Sequence, residues 1–349
     1  MQKKIIALAV AAVFSAPVYA DVNLYGVVDA AVIRASGAGQ ESDLIAFSGG
    51  LSSSRLGVKA TEPLDNGMTA VVVLEYGLDT QTDSTIGNAR QEMLAVAGDF
   101  GTVATGYLQT TGYDWASKFD PTAGSKVSPL ENVTKGGGFV IGSDTVAARA
   151  PRAVAYISPS MGGVTVAVNY STAVTALTGP DLGNLTQTAD VKHSAYFVSA
   201  TYEQDALAVG GVYTAVTAAG AAYATEYSVG GSYDLGAVKL LGTYQANTPD
   251  GGSASKAMSF SAVAPVGPGA VAVTFAKNTM VGVDNDASGF TAAWLQGLSK
   301  TTTFYAAYSA ISQQTGTRDY SVADNGLSAA SLDLGGSSSL VAVGLRKKF

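Results

Sequence analysis

The chain has no cysteine at any of its 349 positions. Disulfide frameworks, thiolate metal sites and cysteine nucleophiles are therefore excluded. Charge is also scarce: Asp, Glu, Lys and Arg together make up 13% of the residues, about half the roughly 25% of an ordinary soluble domain. A surface that must be wetted everywhere is poorly served by so few ions. After residue 20 no apolar stretch approaches the roughly 18 residues of a membrane helix, which excludes a helical membrane protein. The formal net charge is −7, and it becomes −9 once Lys3 and Lys4 are set aside. Nucleic-acid binding needs a basic face and is disfavoured.

What is present begins with a leader. Lys3 and Lys4 precede the apolar run from Ile5 to Phe14, and Val18-Tyr19-Ala20 closes it with small residues at the cleavage positions. This is the pattern of a secretory signal peptide cut after Ala20. The chain is accordingly divided into a signal peptide over 1–20 and one domain over 21–349.

From Asp21 onward the dominant period is two, as in strands with one dry and one wet face. Tyr223, Thr225, Tyr227, Val229, Gly231 and Tyr233 alternate with Ala224, Glu226, Ser228, Gly230, Ser232 and Asp234. The pattern predicts sixteen strands, over 22–35, 52–62, 67–79, 88–99, 101–112, 149–159, 162–173, 190–204, 206–217, 222–235, 237–248, 256–266, 269–280, 287–298, 300–312 and 338–349. Short turns such as Asp99-Phe100-Gly101 and Asp234-Leu235-Gly236 alternate with longer polar segments, near 36–51, 80–87, 113–148, 174–189, 218–221, 249–255, 281–286 and 313–337. Such a meander predicts an all-β fold, a 16-stranded antiparallel transmembrane β-barrel. An open edge in hydrocarbon would leave backbone groups unpaired, so the last strand, ending at Phe349, is expected to close on the first.

Several strings resemble the Gram-negative general diffusion porins, in wording most similar to those of beta-proteobacteria. They are Leu24-Tyr25-Gly26-Val27-Val28-Asp29, Ser53-Ser54-Arg55-Leu56-Gly57-Val58-Lys59, Gly98-Asp99-Phe100-Gly101-Thr102-Val103, Phe119-Asp120-Pro121 and the closing Val343-Gly344-Leu345-Arg346-Lys347-Lys348-Phe349. They span the whole chain after the leader, in order. The resemblance implies a homotrimer in the outer membrane, among its lipid and lipopolysaccharide. It also implies a third long loop, here 113–148, folded into the lumen as a constriction. In the family, basic wall residues face loop acids across the eyelet. The wall positions implied here are Arg55, Lys59, Arg90 and Arg149; the loop acids are Asp114, Asp120, Glu131 and Asp144. Glu75, Tyr107 and Gln109 are expected to face the lumen. Where the family commonly has Gly-Arg-Gln, this chain reads Gly106-Tyr107-Leu108-Gln109, which replaces a wall cation by a phenol and leaves the sign of ion preference open.

The function expected is passive diffusion of ions and small hydrophilic solutes, with no cofactor. An enzyme in the same barrel would need a base, and the one histidine, His193, sits at a strand entrance after a polar loop. Gly136-Gly137-Gly138 lacks the following Lys-Ser or Lys-Thr of a phosphate loop. Asp284 and Asp286 have a spacing common on solvated loops, so no metal site is expected. A substrate-selective channel with an aromatic track of Tyr107, Tyr113 and Trp115, and a plugged structural or adhesive barrel, stay as alternatives.

Overall fold

The computed structural model describes residues 20–37, 40–41, 44–81, 86–135, 138–145, 147–173, 193–218, 221–249, 253–314 and 336–349. The leader, all of the 174–189 segment, most of the 313–337 segment and the His193 side chain lie outside them. The first strands are β1 (Asp21–Gly37), β2 (Gln40–Glu41), β3 (Ile45–Ser48), β4 (Arg55–Pro63), β5 (Thr69–Gly77), β6 (Ala89–Gly98) and β7 (Gly101–Gln109). Two helices follow, α1 (Thr111–Phe119) and α2 (Pro129–Lys135). The chain then continues as β8 (Arg149–Ile157), β9 (Val164–Ser171), β10 (His193–Gln204), β11 (Leu207–Ala218), β12 (Ala221–Asp234) and β13 (Lys239–Pro249). It ends with β14 (Ser255–Val266), β15 (Gly269–Met280), β16 (Ala287–Gly297), β17 (Thr302–Gln313) and β18 (Ser337–Lys348).

All pairings are antiparallel, and β18 returns to β1 in the register Val27 with Lys348 through Gly37 with Ser338. Gly26 and Phe349 extend the seam by exchanging backbone hydrogen bonds of 3.0 and 3.2 Å. The sheet thus closes with every strand paired on both sides, which hydrocarbon demands. β2, β3 and β4 all run against β1, at successively earlier positions along it. They share one place in the wall, so the eighteen segments make a closed barrel of sixteen.

Three sequence expectations change here. The 36–51 segment is not simply a loop, because Gln40–Glu41 and Ile45–Ser48 continue the ladder along β1. The second strand is broken between Ser48 and Arg55, where the Asp29 carboxylate accepts the backbone N–H groups of Leu51 (3.2 Å) and Ser52 (2.8 Å). The strand expected to run to residue 112 stops at Gln109, because Thr110 caps α1 by accepting from the Tyr113 N–H. The ladder reaches into the 218–221 segment, since Ala218 pairs with Ala221.

The alternation resolves into an apolar exterior and a polar interior. Val341, Val343 and Leu345 of β18, Tyr227, Val229 and Tyr233 of β12, and Met258 and Phe260 of β14 are exposed on the outside. Ser228, Thr243, Gln245, Ser259, Thr274, Asn278, Thr291 and Ser309 are buried inside. Left in water, each large apolar side chain would forgo roughly 1.5–3 kcal/mol of burial. A surface of this kind is stable against hydrocarbon, which is the inside-out pattern of membrane barrels. No helix among the described residues is long and apolar enough to cross a membrane, which says nothing about spanning by strands.

Candidate pore constriction

The segment between β7 and β8 turns inward and lines half of the barrel. Trp115 of α1 donates its indole N–H to the Gly210 carbonyl (3.2 Å), and the Phe119 ring presses on Gly230, where an added Cβ would lie 2.7 Å from Phe119 Cγ. Glycine is needed there because helix and wall approach so closely. The chain then crosses the lumen. Thr291 donates to the Val127 carbonyl (2.6 Å), and Asn278 to the Val133 carbonyl (3.0 Å), anchoring α2 on β15 and β16. On the way back, the Val140 and Ile141 N–H groups donate to the buried Glu226 carboxylate at 2.6 and 3.2 Å, while Gln245 donates to the Ile141 carbonyl (3.0 Å). The helices thus cover strands β9 to β17.

The uncovered wall, from β18 through β1 to β8, carries the charge. Glu75 on β5 is its centre. Arg90 Nε donates to Glu75 Oε1 at 2.8 Å, Arg55 Nε lies 3.5 Å from Oε2, and the Tyr25 hydroxyl donates to Oε2 at 3.1 Å. A register shift after Glu75 pairs Tyr76 with Ala89, and Arg90 sits at this irregularity. A β-bulge can re-aim a side chain in this way. Arg149 stands 5.0 Å over the Tyr113 ring, within cation–π range. Its Nε and Nη2 are buried with no hydrogen-bond partner among the described residues. Gln109 pairs directly with Arg149 in the ladder. That register depends on Gly106, whose φ of +135° and 2.0 Å Cβ distance to the Glu92 carbonyl admit no other residue. Lys59 shares the inward parity of Arg55, and its cross-strand partners are Asn23 and Val73.

The four loop acids separate. Asp114 is half-buried, accepts from Gln109 Nε2 at 2.5 Å, and faces the lumen beside that wall residue. Surrounding protein pushes its carboxyl up to about 6, against the lowering effects of Gln109 and Lys118. Asp120 is turned into the loop itself, where it accepts from the Thr122 N–H (2.8 Å) and hydroxyl (2.7 Å) and from the Ser128 hydroxyl (2.5 Å). Glu131 is likewise internal, accepting from the Gly124 N–H and the Ser143 hydroxyl. Asp144 is exposed. The structure therefore brings Arg55, Glu75 and Arg90 together, and places Asp120 and Glu131 away from them. Asp286 receives the Met280 N–H (3.2 Å) at the β15–β16 turn.

Sequence reasoning missed several residues of this wall. Arg346 pairs with Asp29, and Lys348 with Val27, so both basic chains join the inward row. Tyr305 donates to Asp29 at 2.5 Å. The inward parity of Arg346 was legible from β18, but its neighbours depend on the seam register.

The comparisons agree with this architecture. A family model described as Gram-negative porin matches residues 7–316. A curated relative, outer membrane porin protein 32 of Delftia acidovorans, is 30% identical over 179 residues, which is 49% of this chain. The match spans about half of that relative's length, 50%. An anion-selective porin from Comamonas acidovorans superposes with a TM-score of 0.78 at 25% identity, covering 95% of this chain and 100% of that one. OmpT of Vibrio cholerae in its trimer form gives a TM-score of 0.65 at 16% identity, covering 95% and 99%, and shares the fold. Closed antiparallel wall, inward loop and family match converge on one conclusion: the chain belongs to the Gram-negative porins.

Proposed function

We propose that this chain is an outer-membrane porin that lets ions and small hydrophilic solutes diffuse passively through a wet lumen, with no catalysis. The observation carrying this reading is the half-wall left open by the loop, where Arg55, Arg90, Arg149, Arg346 and Lys348 stand against Glu75 and Asp29. Five cations against two wall anions favour entry of anions, and Asp114 and Asp144 on the loop side temper that preference. The anion selectivity named for the Comamonas acidovorans relative points the same way. The chain works as a homotrimer embedded in outer-membrane lipid and lipopolysaccharide, after export by a leader cleaved behind Ala20.

General diffusion is favoured over a substrate-selective channel by the fate of the aromatic track. Trp115 is turned against the wall and Phe119 (ring centroids 6.0 Å apart), while Tyr113 lies under Arg149. Among the described residues these rings form no continuous apolar path for one solute. Liposome swelling with sugars of graded size tests this: a smooth fall in rate with size is expected, and one saturable outlier would refute it.

A further inference from the structure

We propose that Asp29 is a positioning residue for ion selection: its carboxylate holds an inward excursion of the wall, residues 49–54, which aims the Arg55 guanidinium into the lumen. The inference rests on the porin reading and deepens it. Asp29 is fully buried, so no passing ion touches it, and it acts on ions through Arg55.

The excursion follows from the register. Ser48 of β3 pairs with Ala30 and Arg55 of β4 pairs with Val27, so all of 49–54 stands opposite only Val28 and Asp29 of β1. Surplus residues in one strand must bulge out of the ladder, and a bulge re-aims the side chains beside it. This one turns into the lumen. The Gly50 carbonyl accepts the Lys126 N–H of the inward segment at 3.3 Å, and Leu51 is buried in one cluster with Val127 and Leu130. The excursion is thus the lip of wall on which that segment rests, and Arg55 is the first residue past it.

Asp29 ties the excursion at both ends and in the middle. Its carbonyl accepts the Gly49 N–H at 2.8 Å. The Ser54 hydroxyl accepts from the Asp29 N–H and donates to the Asp29 carbonyl, both at 3.0 Å. Carboxylate Oδ2 accepts the N–H groups of Leu51 (3.2 Å) and Ser52 (2.8 Å) and the Ser52 hydroxyl (3.4 Å), while Oδ1 accepts the Tyr305 hydroxyl (2.5 Å). An ionised carboxylate offers acceptors alone, and here it meets donors alone. Between the pinned residues, the Ser53 carbonyl accepts from Arg55 Nη1 at 3.0 Å. On its other side the guanidinium meets Glu75, Nε to Oε2 at 3.5 Å. A planar guanidinium takes its direction from the acceptors its fork meets. One of the two acceptors of Arg55 is in place because Asp29 fixes Ser52 and Ser54 on either side of it.

Position and charge predict opposite signs, which makes the role testable. Losing a wall anion favours anions, whereas releasing Arg55 disfavours them. Reversal potentials of the full mature protein in planar bilayers, across a potassium chloride gradient near 0.1 M, read the sign. Asparagine keeps an oxygen for Leu51 and Ser52 and removes the charge, so Asp29→Asn is expected to raise the anion-to-cation permeability ratio, by up to about twofold. Asp29→Ala removes both and is expected to lower the ratio about twofold, toward that of Arg55→Gln. In the Arg55→Gln background the fall is expected to vanish, Asp29→Ala and Asp29→Asn then giving the same ratio. Tyr305→Phe keeps the charge and the ring but takes one donor from the carboxylate. It is expected to lower the ratio about twofold, and it covers an Asp29→Ala barrel that fails to insert. A ratio raised alike by Asn and Ala would assign Asp29 to the field of the pore and overturn the proposal. An equal fall from Asp29→Ala with and without Arg55, or a parent ratio in Tyr305→Phe, would overturn it too. Absence of conductance in the parent protein would count against the porin reading; parent-like conductance with these ratios unmoved would count against Asp29 alone.

Discussion

Replacing Glu75 by Gln is the most informative perturbation of the constriction. The carboxylate neutralises part of Arg55 and Arg90, at 3.5 and 2.8 Å, and Gln keeps its size while removing the charge. An ion passing about 5 Å from Glu75 feels ~0.8 kcal/mol from a unit charge in water, and ~0.5 kcal/mol once screened by a Debye length of about 10 Å at 0.1 M salt. Losing that charge raises anion occupancy about twofold and lowers cation occupancy about twofold. The anion-to-cation permeability ratio should therefore rise about fivefold. At 1 M salt, with a Debye length of about 3 Å, the change should fall below about twofold. Reversal potentials across a salt gradient in planar bilayers measure both. A ratio that does not move at 0.1 M, or that moves equally at 1 M, would refute the assignment of Glu75 to the field of the pore.

Acidification should act through the loop. The Asp114 carboxyl titrates at about 6, so it is charged above that pH and neutral below it. Removing this lumen anion should shift selectivity further toward anions as pH falls through 6, and Asp114→Asn should abolish the step. Glu226→Ala removes the acceptor of two loop N–H groups, each bond contributing roughly 0.5–1.5 kcal/mol. The return leg of the loop should loosen, seen as added substates in single-channel traces and faster protease cleavage near residue 140. Deleting Phe349 removes both seam bonds to Gly26 and the ring that covers it, 2.4 Å from an added Cβ. The fraction of barrel resisting unfolding in detergent at room temperature should drop severalfold, and Gly26→Leu should do the same by collision.

Strand identity was legible because lipid outside and water inside impose a strict period of two. All sixteen wall positions fall within a few residues of the expected spans, and β15 coincides at 269–280. The segments along 40–48 escaped notice because their pairing rests on Asp29 holding residues 51 and 52, a contact between distant backbone stretches. The helices of the inward segment were equally hidden. Pro129–Lys135 is two turns long, too short for a periodic stripe, and forms against β14 to β17. Arg55 and Arg90 were readable as wall cations and Glu75 as a lumen-facing residue, yet the pairing of Glu75 with both arginines was not, since register across a bulge is not written in one strand. Asp120 and Glu131 were expected among the loop acids facing the wall cations. Short-range partners, Thr122, Ser128, Gly124 and Ser143, turn them inward instead.

Conductance across a planar bilayer tests the central claim most directly, that the closed wall surrounds continuous water. Mature protein at low concentration should insert in discrete steps, each an ohmic conductance that rises with potassium chloride and carries more anion than cation at 0.1 M. Folded protein that inserts and conducts nothing would mean that the inward segment seals the barrel, and the channel account would fall.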